Sequence, residues 1–339
     1  MNGGKLNISV DTRQAHVANV ILSHFLFLIS HFSMYDLVGF GVATLDVITE
    51  VEKFPAPGGK EKILSRENHG GGLTATALVA ASKLGVSCWY GGPLGENEIS
   101  NQVRRILQGY GVNLPVKSPY PPEAEPVAAT VYVEKQTGER TILWSRFLTP
   151  PPILNEEAMR TALSAKCLFA DQFYSEALIP LYRQVREKGI PIVGDFESVN
   201  SPEEAEALTL IDHPIFPAVY VRVRFGQDTD ISVAVMRLLG EHNRSAVVVT
   251  DGAKGAWFAE KGDNTVRHQK AFPVTVCDTT GCGDVFHGAY AAALTLGIPL
   301  ADRVRYAAGA AALKATQKGG QAGAPTRGEL EKFLFSNKK

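Results

Sequence analysis

The residues best suited to chemistry lie near the C-terminus, in Asp278-Thr279-Thr280-Gly281-Cys282-Gly283-Asp284, followed by the apolar run Val285–Leu296. Thr-Gly-Cys-Gly is a tight turn whose backbone N–H groups can point outward together. The run after it has the composition of a helix, so those donors lie at a helix N-terminus. Such an end carries partial positive charge and unsatisfied donors, and it suits a phosphate. Asp284 falls in the first turn of that helix, where a carboxylate can take a proton from an attacking hydroxyl during phosphoryl transfer. Taken alone, the same residues also make an ordinary capped helix start. Cys282, among outward-facing donors, is expected to have a lowered thiol pKa.

Three further stretches carry candidate ligands. Gly70-Gly71-Gly72 precedes the helix-like Leu73–Leu84, and permits close backbone approach by a ligand. Asp46 directly follows the first apolar strand, at the strand end where α/β sheets gather ligands, and its carboxylate can hold two vicinal hydroxyls. Thr250-Asp251-Gly252-Ala253-Lys254-Gly255 closes the strand AVVVT and suits the phosphate or ribose of a nucleotide, although the chain has neither a GxxxxGK[ST] loop nor a GxGxxG. Asp195 and Glu197, after IPIVG, could position Mg²⁺ through water.

These residues need a scaffold, and 339 residues with 45% apolar content suffice for one large α/β domain plus a small appendage. Charged residues at 20% exclude a disordered chain, and a net charge of −1 points away from nucleic acid. Cys88, Cys167, Cys277 and Cys282 show no CxxC spacing and read as reduced thiols of a cytoplasmic protein. Residues 1–33 stand apart. Their apolar run, Val17–Phe32, is short for a membrane span and is read as an upstream extension outside the fold, with export or a membrane role as the alternative. No membrane partner is expected.

From Met34 the pattern alternates. Leu37–Gly41, Val86–Gly91, Cys167–Ala170, Ile192–Gly194 and Ala246–Thr250 read as buried strands. Leu73–Leu84, Ile99–Gly109 and Ser175–Glu187 read as helices between them, which implies a parallel sheet covered on both faces. Lys60–Asn68 alternates as a strand, and Ala128–Trp144 reads as a hairpin turning at Gln136–Glu139. These do not fit a parallel sheet. They form a separate small sheet, with strands within about residues 49–70 and 125–148, placed as a lid over the site. Proline-rich Ser118–Pro122 and Thr149–Pro152 are its stiff connections.

With these residues in place, the chain resembles the PfkB carbohydrate kinases, the ribokinase-like fold, over about residues 34–335. DTTGCGDVFHGAYAAAL is similar to the family's C-terminal signature, with Cys282 where alanine is usual, and GGGLTATALVAASKLG to its N-terminal one. GVATLDVI, TDGAKGAWF and YAAGAAALKATQKGG follow in the family's order. The resemblance implies a Rossmann-type three-layer α/β/α domain with a β-sheet lid, a small sugar as substrate, ATP and Mg²⁺, room for a monovalent cation, and a homodimer through the lid. It makes Asp284 the base and Gly281–Gly283 the anion hole. It places Asp46, Gly71 and Gly72 at the sugar, and Thr250, Gly252, Gly255, Thr280 and Gly309 near the nucleotide. Within the family the chain looks nearest to the sulfofructose kinase and ketohexokinase-like branch. Leu73 and Thr76 stand where many members carry asparagines, and the sulfonate-binding positions of that branch fall at Lys60, Trp144 and Phe173, of which only the lysine is retained. Near Val221–Asp230, where the family often shows Asn-x-x-Glu by the metal, Arg222 and Arg224 stand instead. The expected activity is phosphorylation of a hydroxyl of a ketose or related sugar. A nucleoside kinase of the same fold and a non-catalytic sugar or nucleotide sensor remain the alternatives.

Overall fold

The computed structural model describes residues 35–137 and 139–337. The leader therefore lies outside the described residues.

Short β-branched and aromatic runs form the larger sheet. Its parallel strands are β1 (Leu37–Phe40), β4 (Cys88–Tyr90), β5 (Val112–Asn113), β8 (Cys167–Asp171), β9 (Ile192–Asp195), β10 (His213–Pro217) and β11 (Ala246–Thr250). Two more, β12 (Ala256–Glu260) and β13 (Arg267–Gln269), add antiparallel at one edge, giving the order β13-β12-β11-β10-β9-β8-β1-β4-β5. The sheet is thus mixed, whereas the alternating pattern implied parallel strands throughout. The tight turn after Thr250, closed by Asp251 N–H on the Gly255 carbonyl, reverses the chain too quickly for a crossover helix.

Alternate residues of a strand feed opposite faces. Along β11, Ala246 and Val248 enter one core, and Val247 and Val249 the other. The first core is covered by α1 (Leu73–Lys83), α8 (Cys282–Thr295) and α9 (Leu300–Ala315). The second is covered by α4 (Ser175–Glu187), α5 (Pro202–Thr209) and α7 (Ile231–Glu241). The remaining helices are α2 (Glu98–Gly109), α3 (Glu156–Ala162), α6 (Ala218–Phe225) and α10 (Arg327–Ser336). Burying each large aliphatic side chain is worth about 1.5–3 kcal/mol, so the two cores fix the three layers. Among the described residues no helix is long and apolar enough to cross a membrane.

The lid is a second sheet of order β3-β2-β6-β7, built from β2 (Thr44–Val51), β3 (Ile63–Gly71), β6 (Val127–Glu134) and β7 (Arg140–Ser145). It corrects two expectations. Asp46 does not lie in a loop past the first strand. It sits on β2, in the middle of the lid, because the chain turns at Gly41–Ala43 and immediately re-enters extended structure. Gly70 and Gly71 likewise belong to β3, paired with Leu45 and Thr44, and only Gly72 caps α1. Gly72 has φ 91°, and a Cβ there would stand 2.5 Å from the Val42 carbonyl oxygen. Two of the connections between lid and body, at Val42 and at Gly72, touch at this point, and no side chain fits between them.

Candidate active site

The N-terminal half of α8 packs against β8 and β9, where His287 meets Phe169 and Asp195, at the end of an α/β sheet that gathers ligands. Gly281 is the N-cap of α8, with φ 76°, so a side chain there would be strained, and its Cβ would lie 2.7 Å from Cα of Gly320. The Cys282 N–H bonds the Thr279 carbonyl, and the Thr280 N–H bonds the Asp278 carboxylate. The N–H groups of Gly281, Gly283 and Asp284 have no acceptor among the described residues. They form a small concentration of donors at the positive end of a 14-residue helix.

Asp284 occupies the third position of α8. Burial pushes its carboxyl pKa up to about 8, and the nearby carboxylates of Asp195, Glu197 and Asp171 push the same way. Asp171 and Asp195 end adjacent strands in direct register. Asp195 is 1% exposed, its Oδ1 has no hydrogen-bond partner, and burial holds its pKa well above the usual carboxylate range. His287, one turn beyond Gly283 in α8, faces the Gly283 carbonyl through Nδ1 at 2.6 Å, and its Nε2 lies 3.4 Å from Asp195 Oδ1. Burial lowers the His287 pKa, so at neutral pH its Nδ1–H is the donor to Gly283.

Asp171 was not singled out from the sequence. It is fully buried, and its Oδ2 accepts from the Val42 N–H and the Thr74 hydroxyl, each at 2.7 Å, while Oδ1 accepts from the Phe173 N–H at 3.1 Å. One carboxylate thus ties the lid hinge at Val42 to α1 and to the end of β8. An Asp at the close of an apolar strand is the signal that could have marked it.

The pfkB family carbohydrate kinase profile matches residues 34–149 and 151–327. The chain belongs to the pfkB family of carbohydrate kinases. This PfkB kinase is 25% identical over 311 residues to the ribokinase of Bacillus subtilis, covering 89% of the chain and 100% of the relative. It is 26% identical to the 2-dehydro-3-deoxygalactonokinase of Haloferax volcanii, over 81% of the chain and 90% of the relative. The structure of Arabidopsis thaliana ribokinase complexed with ribose and ATP superposes with a TM-score of 0.78 at 24% identity, over 88% of the chain and 98% of that structure.

The Gly71 carbonyl and the Thr76 hydroxyl both face Nε2 of Gln321, at 3.3 and 3.5 Å, and a Cβ on Gly71 would lie 2.5 Å from the Asp46 carboxylate. Burial raises the pKa of Asp46. Thr76 is itself buried, so it shapes the wall of the site and has no open hydroxyl. On the lid, His69, Asp46, Ala129 and Trp144 form one register row across four strands, which puts Asp46 and Trp144 on the same face. Phe173 is 37% exposed at the end of β8. Thr250 ends β11, and Thr280 and Gly252 are exposed in their turns. Gly255 is buried and closes its turn through bonds to Gly252 and Asp251.

Three expectations are corrected. Lys60 is exposed ahead of β3, at the far end of that strand from Gly71, so strand geometry carries it away from Asp46. Gly309 is buried inside α9, where a Cβ would meet Leu334 at 2.7 Å, so it serves helix packing against α10. Burial raises the Cys282 thiol pKa, contrary to the expected lowering, because its Sγ is half-buried and faces the Asp278 carbonyl. The two arginines near the expected metal motif are also committed elsewhere: Arg222 pairs with Asp251 at 2.6 Å and Arg224 with Glu241 at 3.0 Å.

Among the described residues no group of three or more His, Cys, Asp or Glu could cage a metal. Mg²⁺ ordinarily keeps several waters and uses one or two carboxylates plus substrate phosphates. The unpartnered Asp195 Oδ1 beside the exposed Glu197 fits that outer-sphere role.

Proposed function

We propose that the chain transfers a phosphoryl group from ATP to a hydroxyl of a small neutral sugar, with Asp284 as general base and the Gly281–Gly283 turn as the anion hole. One observation carries this reading: a carboxyl with a pKa of about 8 stands in the same helical turn as three N–H donors without acceptors. The base takes the hydroxyl proton while the turn holds the charge on the transferring group, so both demands of the reaction are met within one turn. Asp195 and Glu197 would position hydrated Mg²⁺, whose charge would offset the phosphates. Thr250, Gly252 and Thr280 border the nucleotide.

Asp46 holds sugar hydroxyls from the lid, and Trp144 and Phe173 offer apolar faces to a ring. With Lys60 far along the lid, nothing cationic among these sugar-side residues favours a sulfonated substrate. The same aromatic pair supports a nucleoside as the second reading. Ile142, Leu143 and Trp144, each more than half exposed on the lid, support pairing of lids between two copies. Measuring ADP release with ATP and Mg²⁺ across neutral ketoses, aldoses, sugar sulfonates and nucleosides tests the proposal. Turnover confined to nucleosides, or absent from every member, overturns it.

A further inference from the structure

Among the described residues Lys314 is the one buried lysine, and its side chain is wholly inaccessible. It lies in the last turn of α9. A buried ammonium costs several kcal/mol unless its donors are satisfied. Here Nζ donates to the Asp278 carbonyl at 2.8 Å and to the Gln317 carbonyl at 3.0 Å, with Asp278 Oδ2 at 3.9 Å. Those two carbonyls belong to different segments. Asp278 opens the turn that leads to Gly281. Gln317 opens the loop that returns through Gly319 and Gly320.

The same segments are joined a second time. The Asp278 carboxylate accepts from the Thr280 N–H on its own turn and from the Gly319 N–H on the other loop, both at 2.9 Å. These bonds and the Lys314 charge hold the Asp278 carboxyl below the usual range. The outcome is the close approach of Gly320 to Gly281, the N-cap of the donor-bearing helix. An alkali cation serving this turn would need just such oxygens: backbone carbonyls from both segments and a carboxylate. The ammonium is already seated on them, and a second cation there would face like-charge repulsion at contact distance. The donor set therefore does not fit an added monovalent cation.

We propose that Lys314 is a built-in cation that positions the anion-binding turn, so that turnover needs no added monovalent cation. Lys314 is a positioning residue: it touches neither substrate nor reacting atoms and acts through Asp278 and Gly281. The proposal rests on the reading of the Gly281–Gly283 turn as the anion hole, which Asp284→Asn tests separately.

The first experiment measures wild-type kcat with tetramethylammonium as the sole monovalent cation, then with added Na⁺ or K⁺. The expected values agree within about twofold, and a rise of about tenfold or more on adding either ion overturns the proposal. The second uses Lys314→Met and Lys314→Gln, the latter keeping a donor for the carbonyls. In tetramethylammonium kcat should fall by about 10- to 100-fold, the scale of a displaced catalytic group, and added K⁺ or NH₄⁺ should restore a large part of it. A folded Lys314→Gln with wild-type kcat in tetramethylammonium, or a loss that no cation relieves, overturns it. Should neither variant fold, the wild-type comparison decides by itself.

Discussion

Nε2 of His287 lies 3.4 Å from Oδ1 of Asp195, and neither atom has a hydrogen-bond partner among the described residues. Both side chains are more than nine-tenths buried, one on α8 and the other at the end of β9. Burial lowers the pKa of the imidazole and raises that of the carboxyl well above the usual carboxylate range. A nearby cation favours the ionised form of a buried carboxyl, so a metal would interact strongly with this one. Asp195→Asn should therefore raise the Mg²⁺ concentration for half-maximal turnover by about 10- to 100-fold, the usual effect of an outer-sphere group. An Mg²⁺ titration at saturating ATP and sugar checks this, and an unchanged midpoint would remove Asp195 from the metal site.

Asp284→Asn is nearly isosteric in the first turn of α8 and should leave the fold intact. It should lower kcat by about 10²–10⁴, the contribution of a positioned proton acceptor. Near-full turnover of the variant would refute the base assignment.

The pH profile follows from the same group. A base must be ionised to act, and the Asp284 pKa is raised to about 8. In the free enzyme kcat/KM should therefore rise with pH through neutrality and level off above about 8. A profile already flat from pH 6 upwards would contradict the placement of Asp284.

Stability runs the other way. A carboxyl whose folded pKa lies above its unfolded value binds the extra proton in the folded state. Its contribution is complete below about pH 4 and is lost as pH rises through 8. Asp284→Asn should accordingly melt about 2–5 °C above wild type at pH 8.5, and the difference should shrink towards pH 4.5. Scanning calorimetry at the two pH values tests the sign.

Asp46→Ala should raise KM for the sugar by about 10- to 100-fold and leave KM for ATP nearly unchanged, since one charge-assisted hydrogen bond is worth roughly 1.5–3 kcal/mol. Equal effects on both substrates would place Asp46 outside the sugar site.

Much of this was legible in the chain. Strands β1, β8, β9 and β11, the helix Ser175–Glu187 and the lid hairpin follow from local period and turn chemistry, because each is decided by neighbours within a few residues. The turn proposed as the anion hole was legible for the same reason: Gly281, Gly283 and Asp284 lie within four consecutive residues, and the helix that orients them is their own. What failed depended on partners far along the chain. Asp46 looked like a residue at the end of the first strand because nothing local reveals that β2 pairs with β6, some eighty residues on. Lys60 looked like a ligand because its distance from Asp46 is set by the length of β3.

His287 and Lys314 carry no local signature, and Asp171 has only its place at the close of an apolar strand. Asp171 acquires its role from Val42 and Thr74, His287 from Asp195, and Lys314 from carbonyls on two loops. Each is a polar group buried by tertiary packing, where low dielectric and the need for a partner give it its chemistry. The sequence by itself determined the candidate base, the glycine turn and the family, since these rest on contiguous residues. Only the tertiary structure decided which buried charges surround them, because burial and long-range pairing are properties of the packed chain.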